Sequence, residues 1–260
     1  MDNLSELMGK NICYWNKRSR TYSEQNKEEL NTELRQVWKG LFFKEISNHF
    51  HTSDFSDLQA VDMGTGPGFF SILLEELGCR VTGVDASVEM LLEAQNNAKE
   101  QGREKIRFIN ALADATGLES ESADIIVSRN LTWNLEHPKE AYKEWFRILK
   151  KGGMLCVFDA NWYRHLFFEK EKVEYETDRR MVQKRGFRDF NSNPEYEKMD
   201  IIAKSLPLSN INRPKWDYKV LKEIGFLEVC TDENIWERVW NEEEQVNFSS
   251  TPMFYIKAVK

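Results

Sequence analysis

No stretch of this sequence is apolar for the ~20 residues that a membrane-spanning helix needs, so no membrane span is expected. Cysteine is scarce. Cys13, Cys79, Cys156 and Cys230 stand far apart and form no CxxC pair, which argues against both a zinc site and a disulfide framework. No His/Cys/Asp group has the spacing of metal ligands, so no metal is expected. Positive charge is in deficit, with 36 Lys and Arg against 43 Asp and Glu and a net charge of −7. A long nucleic-acid footprint needs clustered cations to neutralise phosphates, so nucleic acid is not an expected partner. The first twenty residues contain no continuous apolar segment of the kind a secretory leader carries. With few cysteines this makes a reduced cytoplasm the expected setting. Internal repeats and low-complexity linkers are also missing.

What is present is a sheet-and-helix rhythm. Residues 1–54 are polar with interspersed aromatics, and Leu34, Val37, Trp38 and Leu41 fall at helical spacing, which predicts an N-terminal helical lid. From residue 55 to 160 short apolar runs alternate with amphipathic segments. Strands are predicted in LQAVDMG, CRVTGVD, IRFINA, ADIIVSR and GGMLCVFDA. Between them, FFSILLEELG reads as a helix stopped at Gly78. Ser87 is placed to cap a helix carrying Val88, Leu91, Leu92 and Ala98 on one face, and Pro138 to open another. Such alternation predicts a parallel sheet covered on both faces. Residues 161–213 break the rhythm and read as an inserted helical cap. Residues 214–260 return to it, with a helix from Trp216 to Ile224 and two closing strands.

The most informative segment is Val61-Asp62-Met63-Gly64-Thr65-Gly66-Pro67-Gly68, where a strand turns into a helix. Glycines there permit a tight turn and close approach of a ligand. A dinucleotide fingerprint would continue Gly-x-Gly-x-x-Gly, but its third glycine position is Phe69. The spacing is Gly-x-Gly-x-Gly, with an acid two residues ahead. Asp85 ends the second predicted strand, at the offset expected for a carboxylate that binds ribose hydroxyls. Asp114 follows the third strand in Ala113-Asp114-Ala115 and is placed to accept from an adenine amino group. All three acids fall at the carboxyl edge of the predicted sheet, where open α/β sheets bind ligands. An acid-lined loop suits a cationic ligand better than a pyrophosphate.

These residues together resemble the S-adenosylmethionine-binding motifs of class I methyltransferases. The resemblance implies a Rossmann-like α/β fold, a seven-stranded and mostly parallel sheet in the order 3-2-1-4-5-7-6 with the last strand antiparallel. It implies S-adenosylmethionine as the cofactor and S-adenosylhomocysteine as its product. It assigns Gly64, Gly66 and Gly68 to the methionine part, Asp85 to the ribose, and Asp114 with Ala113 to the adenine, with Asp62, Thr65, Ala86 and Ala115 as further cofactor-binding candidates. Tyr14-Trp15-Asn16-Lys17-Arg18-Ser19-Arg20-Thr21-Tyr22 resembles the aromatic lid of small-molecule members, which points to Tyr14, Trp15, Arg18 and Tyr22 over the cofactor. The alternative for these aromatics is packing on the core.

The fourth strand runs into Ser128-Arg129-Asn130-Leu131-Thr132-Trp133-Asn134, which is expected to face the transferred methyl. Arg129 and Asn130 are cofactor candidates. Asn134 is either a catalytic residue or the cap of the helix at Pro138. No Asn/Asp-Pro-Pro-Tyr motif stands here, which lowers bases and glutamine side chains as acceptors. Tyr163 and His165 follow the fifth strand as catalytic candidates; His165 is the best-placed histidine for proton removal, and its alternative is a surface or helix-packing histidine. Arg213, at the end of the cap, pairs either with an acceptor carboxylate or with a structural acid. Glu169 to Arg180 reads as a solvated helix face.

The leading expectation is a methyltransferase acting on a small molecule by in-line displacement, with oligomeric state left open. The other readings are a methyltransferase acting on RNA or protein, an NAD-dependent oxidoreductase, and a protein that binds S-adenosylmethionine without turnover.

Overall fold

The computed structural model describes residues 4–192 and 196–260. Two helices come first, α1 (Glu6–Leu30) and α2 (Leu34–Phe50). The expected alternation follows as β1 (Gln59–Met63), α3 (Phe69–Glu76), β2 (Arg80–Asp85), α4 (Val88–Glu100), β3 (Arg107–Asn110), β4 (Ala123–Arg129), α5 (Pro138–Ile148) and β5 (Leu149–Asp159). The inserted stretch holds α6 (Glu169–Arg185) and α7 (Tyr196–Ala203). The chain closes with α8 (Lys215–Ile224), β6 (Glu228–Asp232), α9 (Trp236–Val239), α10 (Glu242–Asn247) and β7 (Phe254–Val259).

The seven strands form one sheet in the order β3-β2-β1-β4-β5-β7-β6, as the motifs implied. β1 to β5 pair in parallel, and β7 runs antiparallel between β5 and β6. Alternate residues of the central strands feed opposite cores, as the two-residue repeat of a strand requires. Ile125 and Val127 of β4 join Trp38, Phe42 and Phe70 beneath one face, where Trp38 meets Phe70 edge-on with ring centroids 4.9 Å apart. Ile126 points the other way, toward Tyr142 and Trp145 of α5 and Leu221 of α8. A third, smaller cluster joins Tyr14 of α1 and Trp133 to Met199 and Ile202 of α7, so the insert is tied to the N-terminal helix.

Local signals were largely obeyed. Ser87 caps α4 by accepting from the Met90 amide at 3.1 Å, and Pro138 opens α5. Three expectations are corrected. Val88 and Leu92 of α4 are about half exposed, and the buried face is instead Met90, Leu91, Ala94 and Ala98. α2 is a core helix, with Trp38, Phe42 and Ile46 buried. Two short helices, α9 and α10, interrupt the path between the closing strands. The cap expected over 161–213 includes residues 193–195, which lie outside those described. The described part is helical, and α6 is mostly exposed with Asp178 and Val182 buried. Among the described residues no helix is long and apolar enough to cross a membrane.

Candidate functional site

The glycine loop joins β1 to α3 and is organised by Asp62. This carboxylate is buried, and its Oδ2 accepts from the Thr65 hydroxyl, the Ser71 hydroxyl and the Ser71 amide, at 2.8, 2.8 and 2.9 Å. Asp62 therefore holds the loop's shape as well as lining the cavity above it. Burial pushes its carboxyl above the usual range, against the pull of those hydrogen bonds. At Gly64 the backbone lies at φ 67°, and a Cβ there would come within 2.7 Å of the Leu131 side chain. Gly64→Ala is accordingly expected to combine left-handed strain with a clash, and to cost roughly 1–3 kcal/mol as well as ligand affinity. Thermal melting and titration of the variant check this. An unchanged melting temperature together with unchanged affinity would refute it.

Asp85, at the end of β2, closes the loop from the other side. Its Oδ2 accepts from the Gly66 amide at 2.9 Å and its Oδ1 from the Ser87 amide at 2.8 Å. Burial pushes this carboxyl up to about 6, the two backbone amides oppose the rise, and the neighbouring Asp62 charge adds to it. Each oxygen keeps a further lone pair for a hydroxyl donor.

α1 roofs the site and is pinned there by polar contacts. The Ser87 hydroxyl donates to Asn16 Oδ1 at 2.6 Å, Asn97 Nδ2 donates to Ser23 Oγ at 3.0 Å and to the Pro67 carbonyl at 2.9 Å, and Asn11 Nδ2 donates to the Asn134 carbonyl at 2.8 Å. Under this roof lies a cavity of ≈ 1080 Å³, its open mouth included. Asp62, Gly64, Thr65, Gly66, Asp85 and Ala86 line one end, and Ala113 and Asp114 the other. Two acceptors on its wall, Asn11 Oδ1 and Asn134 Oδ1, are buried with no hydrogen-bond partner in the protein, which marks the wall as built for a polar ligand.

A second cavity of ≈ 2100 Å³, again with its mouth, adjoins the first. Trp15, Tyr22, Arg129 and Asn130 line both. Arg129 is fixed by an ion pair to Glu29 at 2.9 Å and sits over the Phe69 ring at 4.5 Å. Asn130 adopts φ 55°, a left-handed turn that re-aims the chain after β4, and its carbonyl accepts from the Trp133 indole at 2.9 Å. Burial raises the Tyr22 hydroxyl, with Arg129 opposing. Tyr163 and His165 line the second cavity. His165 stacks on Tyr175 at 4.1 Å, and burial pushes its imidazole down to about 4.

Not every expected residue reaches a cavity. Gly68 packs under Ala94, Ala115 faces solvent, Tyr14 is buried against Trp133 and Met199, and Arg18 is buried on the inner side of α1; none of the four lines either space. Asn134 lines the first cavity, apart from Tyr163 and His165. It does not cap α5, where His137 is the N-cap residue and no side chain makes the capping bond. Arg213 pairs with structural acids. It is buried, with Nη1 donating to Asp159 at 2.6 Å and Nη2 to Asp217 at 2.7 Å, while Tyr142 donates to Asp217 at 2.7 Å. Asp159 also accepts from the Trp133 amide at 3.0 Å, so this network braces the loop after β4. Residues not anticipated include Asn11, Glu29, Trp240 and Glu244. The one local signal among them is the capping box of Asn241 and Glu244, which opens α10, a helix whose Glu243 and Glu244 line the second cavity. Among the described residues no group of three His, Cys, Asp or Glu side chains is arranged to hold a metal ion.

Residues 61–157 match the family model for a methyltransferase domain. A demethylmenaquinone methyltransferase of Leptospira interrogans is 33% identical over 132 residues, 49% of this chain and 51% of that protein. A glycine/sarcosine N-methyltransferase of Aphanothece halophytica is 25% identical over 95% of this chain and 91% of its own length. The chain spans about two-fifths to half the length of the first curated relatives it matches. Among solved structures, a SAM-dependent methyltransferase from Aquifex aeolicus shares the fold, with a TM-score of 0.55 at 15% identity over 91% of this chain and 97% of that one.

Proposed function

We propose that this chain, whose residues 61–157 match a methyltransferase-domain model, is a class I S-adenosylmethionine-dependent methyltransferase that transfers a methyl group to a small-molecule acceptor. The observation that carries the reading is the junction of the two cavities at Trp15, Tyr22, Arg129 and Asn130. The first cavity has the chemistry of the donor. Asp85 offers ribose two carboxylate oxygens already oriented by backbone amides, Asp114 and the Ala113 backbone stand where an adenine edge would lie, and the Asp62 end carries negative charge for an ammonium. Asn134, with its buried acceptor on that wall, is read as a donor-binding residue. When bound, S-adenosylmethionine supplies a methyl already activated by its sulfonium, so the protein's task is alignment and exclusion of water, which contribute much of such a rate.

The second cavity is read as the acceptor's. Its walls come from the insert, from α1 and from α10, an enclosure suited to a small molecule rather than to an open polymer surface. The relatives named for demethylmenaquinone and for glycine and sarcosine support a small acceptor. Tyr163 and His165 stand on this side, where they orient the acceptor. With its imidazole held down to about 4, His165 is neutral at physiological pH and acts by hydrogen bonding, since a group so weakly basic takes little of a proton near pH 7.

Calorimetric titration with S-adenosylmethionine, S-adenosylhomocysteine and NAD tests the donor assignment. Micromolar binding of both adenosyl compounds with NAD silent is the expected result. NAD binding, or silence from all three, would overturn it.

A further inference from the structure

The wall chemistry of the second cavity narrows the acceptor. Six carboxylic acids line it, Glu28, Glu29, Glu197, Asp200, Glu243 and Glu244. Among the described lining residues Arg129 is the one Lys or Arg, and it is already engaged by Glu29 at 2.9 Å and by the ring of Phe69. His165 adds no positive charge near neutral pH. The exposed Arg188 answers Glu28 at 3.2 Å and donates its amide to Glu243, but it lies outside the lining. Carboxyl groups thus outnumber cations on the lining, and the cavity carries net negative charge even with Glu29 paired to Arg129, Glu244 partly protonated near neutral pH and Arg179 standing behind Tyr175 and Asn247.

A second, independent feature has the same preference. The walls are aromatic: Trp162 meets Phe248 edge-on at 5.2 Å, Trp240 lies 5.6 Å from Phe248, and Trp133 lies 4.9 Å from Tyr163. Ring faces carry the negative part of the aromatic quadrupole and attract cations, most of all weakly hydrated alkylammonium groups. Carboxylates around aromatic faces make a poor site for a phenolate, a carboxylate or a phosphate, because each would be desolvated against like charge while Arg129, the one cation among the described lining residues, is already paired with Glu29. A neutral ring could stack there but would draw nothing from the acids.

We infer that the acceptor of this site is a cationic amine, held by aromatic faces and by the carboxylate cluster around Glu29 and Glu244. The inference rests on the reading of the second cavity as the acceptor's. The accepting nitrogen needs a free lone pair, so one proton must leave the bound ammonium first. Glu244, whose carboxyl burial and the Glu29 charge push up to about 7, has the affinity to receive it.

Three probes of one shape and three charges test this on the full chain: choline, its uncharged isostere 3,3-dimethylbutanol, and the anion 3,3-dimethylbutyrate, each titrated in the presence of S-adenosylhomocysteine. Choline is expected to bind at least about tenfold more tightly than the alcohol, with the anion weaker still, and Glu244→Gln to narrow the preference by about threefold. Equal affinity for choline and the alcohol, no binding of choline, or a preference for the anion would overturn the inference. Titration of the same samples with S-adenosylmethionine separates the two readings. Donor binding without cation preference sinks the amine alone, whereas cation preference without donor binding sinks the methyltransferase reading.

Discussion

Replacing Asp85 with Ala is expected to weaken S-adenosylmethionine binding by about 100-fold, equivalent to ~2.7 kcal/mol. Two hydroxyl donors would lose a charged acceptor, and hydrogen bonds to charged groups contribute roughly 1.5–3 kcal/mol each. The Gly66 and Ser87 amides, which Asp85 now receives at 2.9 and 2.8 Å, would lose their partner and with it the fixed shape of the loop. The same residue predicts a pH dependence. In the free protein its carboxyl is pushed up to about 6. Hydroxyl donors favour the ionised form, so the carboxyl drops when ligand binds and binding below pH 6 must release a proton. Affinity is then full above about pH 7 and falls as pH drops through 6, approaching tenfold per pH unit below it. Calorimetry from pH 8 to 5 measures both effects. A wild-type affinity flat across that range, or a decline that persists unchanged in Asp85→Ala, would remove Asp85 from ribose binding.

The second large effect is on the fold itself. Arg213→Met is expected to destabilise the protein by about 3–5 kcal/mol, because it leaves Asp159 and Asp217 buried without their cation. For a chain of this size that corresponds to a fall in melting temperature on the order of 10 °C. Burial already pushes the Asp159 carboxyl up, with Arg213 the main opposing influence, so its loss would drive that acid toward the neutral form. Because Asp159 also receives the Trp133 amide, the loop that carries Arg129 and Asn130 to the cavity junction should loosen as well. Differential scanning calorimetry reads the stability. A change below 1 kcal/mol would show that the two carboxylates are satisfied without the guanidinium.

The contrast between Arg213 and Asp85 marks where sequence reading stops. Asp85 sits at the end of a strand whose beginning, end and partner loop are all announced locally by Gly64, Gly66, Ser87 and an apolar run. Short-range signals of this kind, read along 55–160, were enough to place the parallel strands, the glycine loop and all three acids on the lining of one cavity. Thr65 and Ser71, the partners of Asp62, emerged only in three dimensions. Arg213 has no local signal at all. Whether a lone arginine meets a ligand or a buried acid depends on Asp159, 54 positions away, and on the depth of the site.

By itself the sequence determined the alternation and the order of motifs along the sheet edge, because turns, caps and strand periodicity act over a few residues. Tertiary structure alone decided which N-terminal helix became the roof, which aromatics reached a cavity and where the negative charge collected. Tyr14 and Tyr22 differ by little more than two helical turns, yet one is packed against α7 and the other lines both cavities. Glu29 from α1 and Glu244 from α10 meet around Arg129 although 215 positions separate them. Burial and electrostatic potential are sums over all such neighbours, and long-range neighbours exist only once the chain has folded.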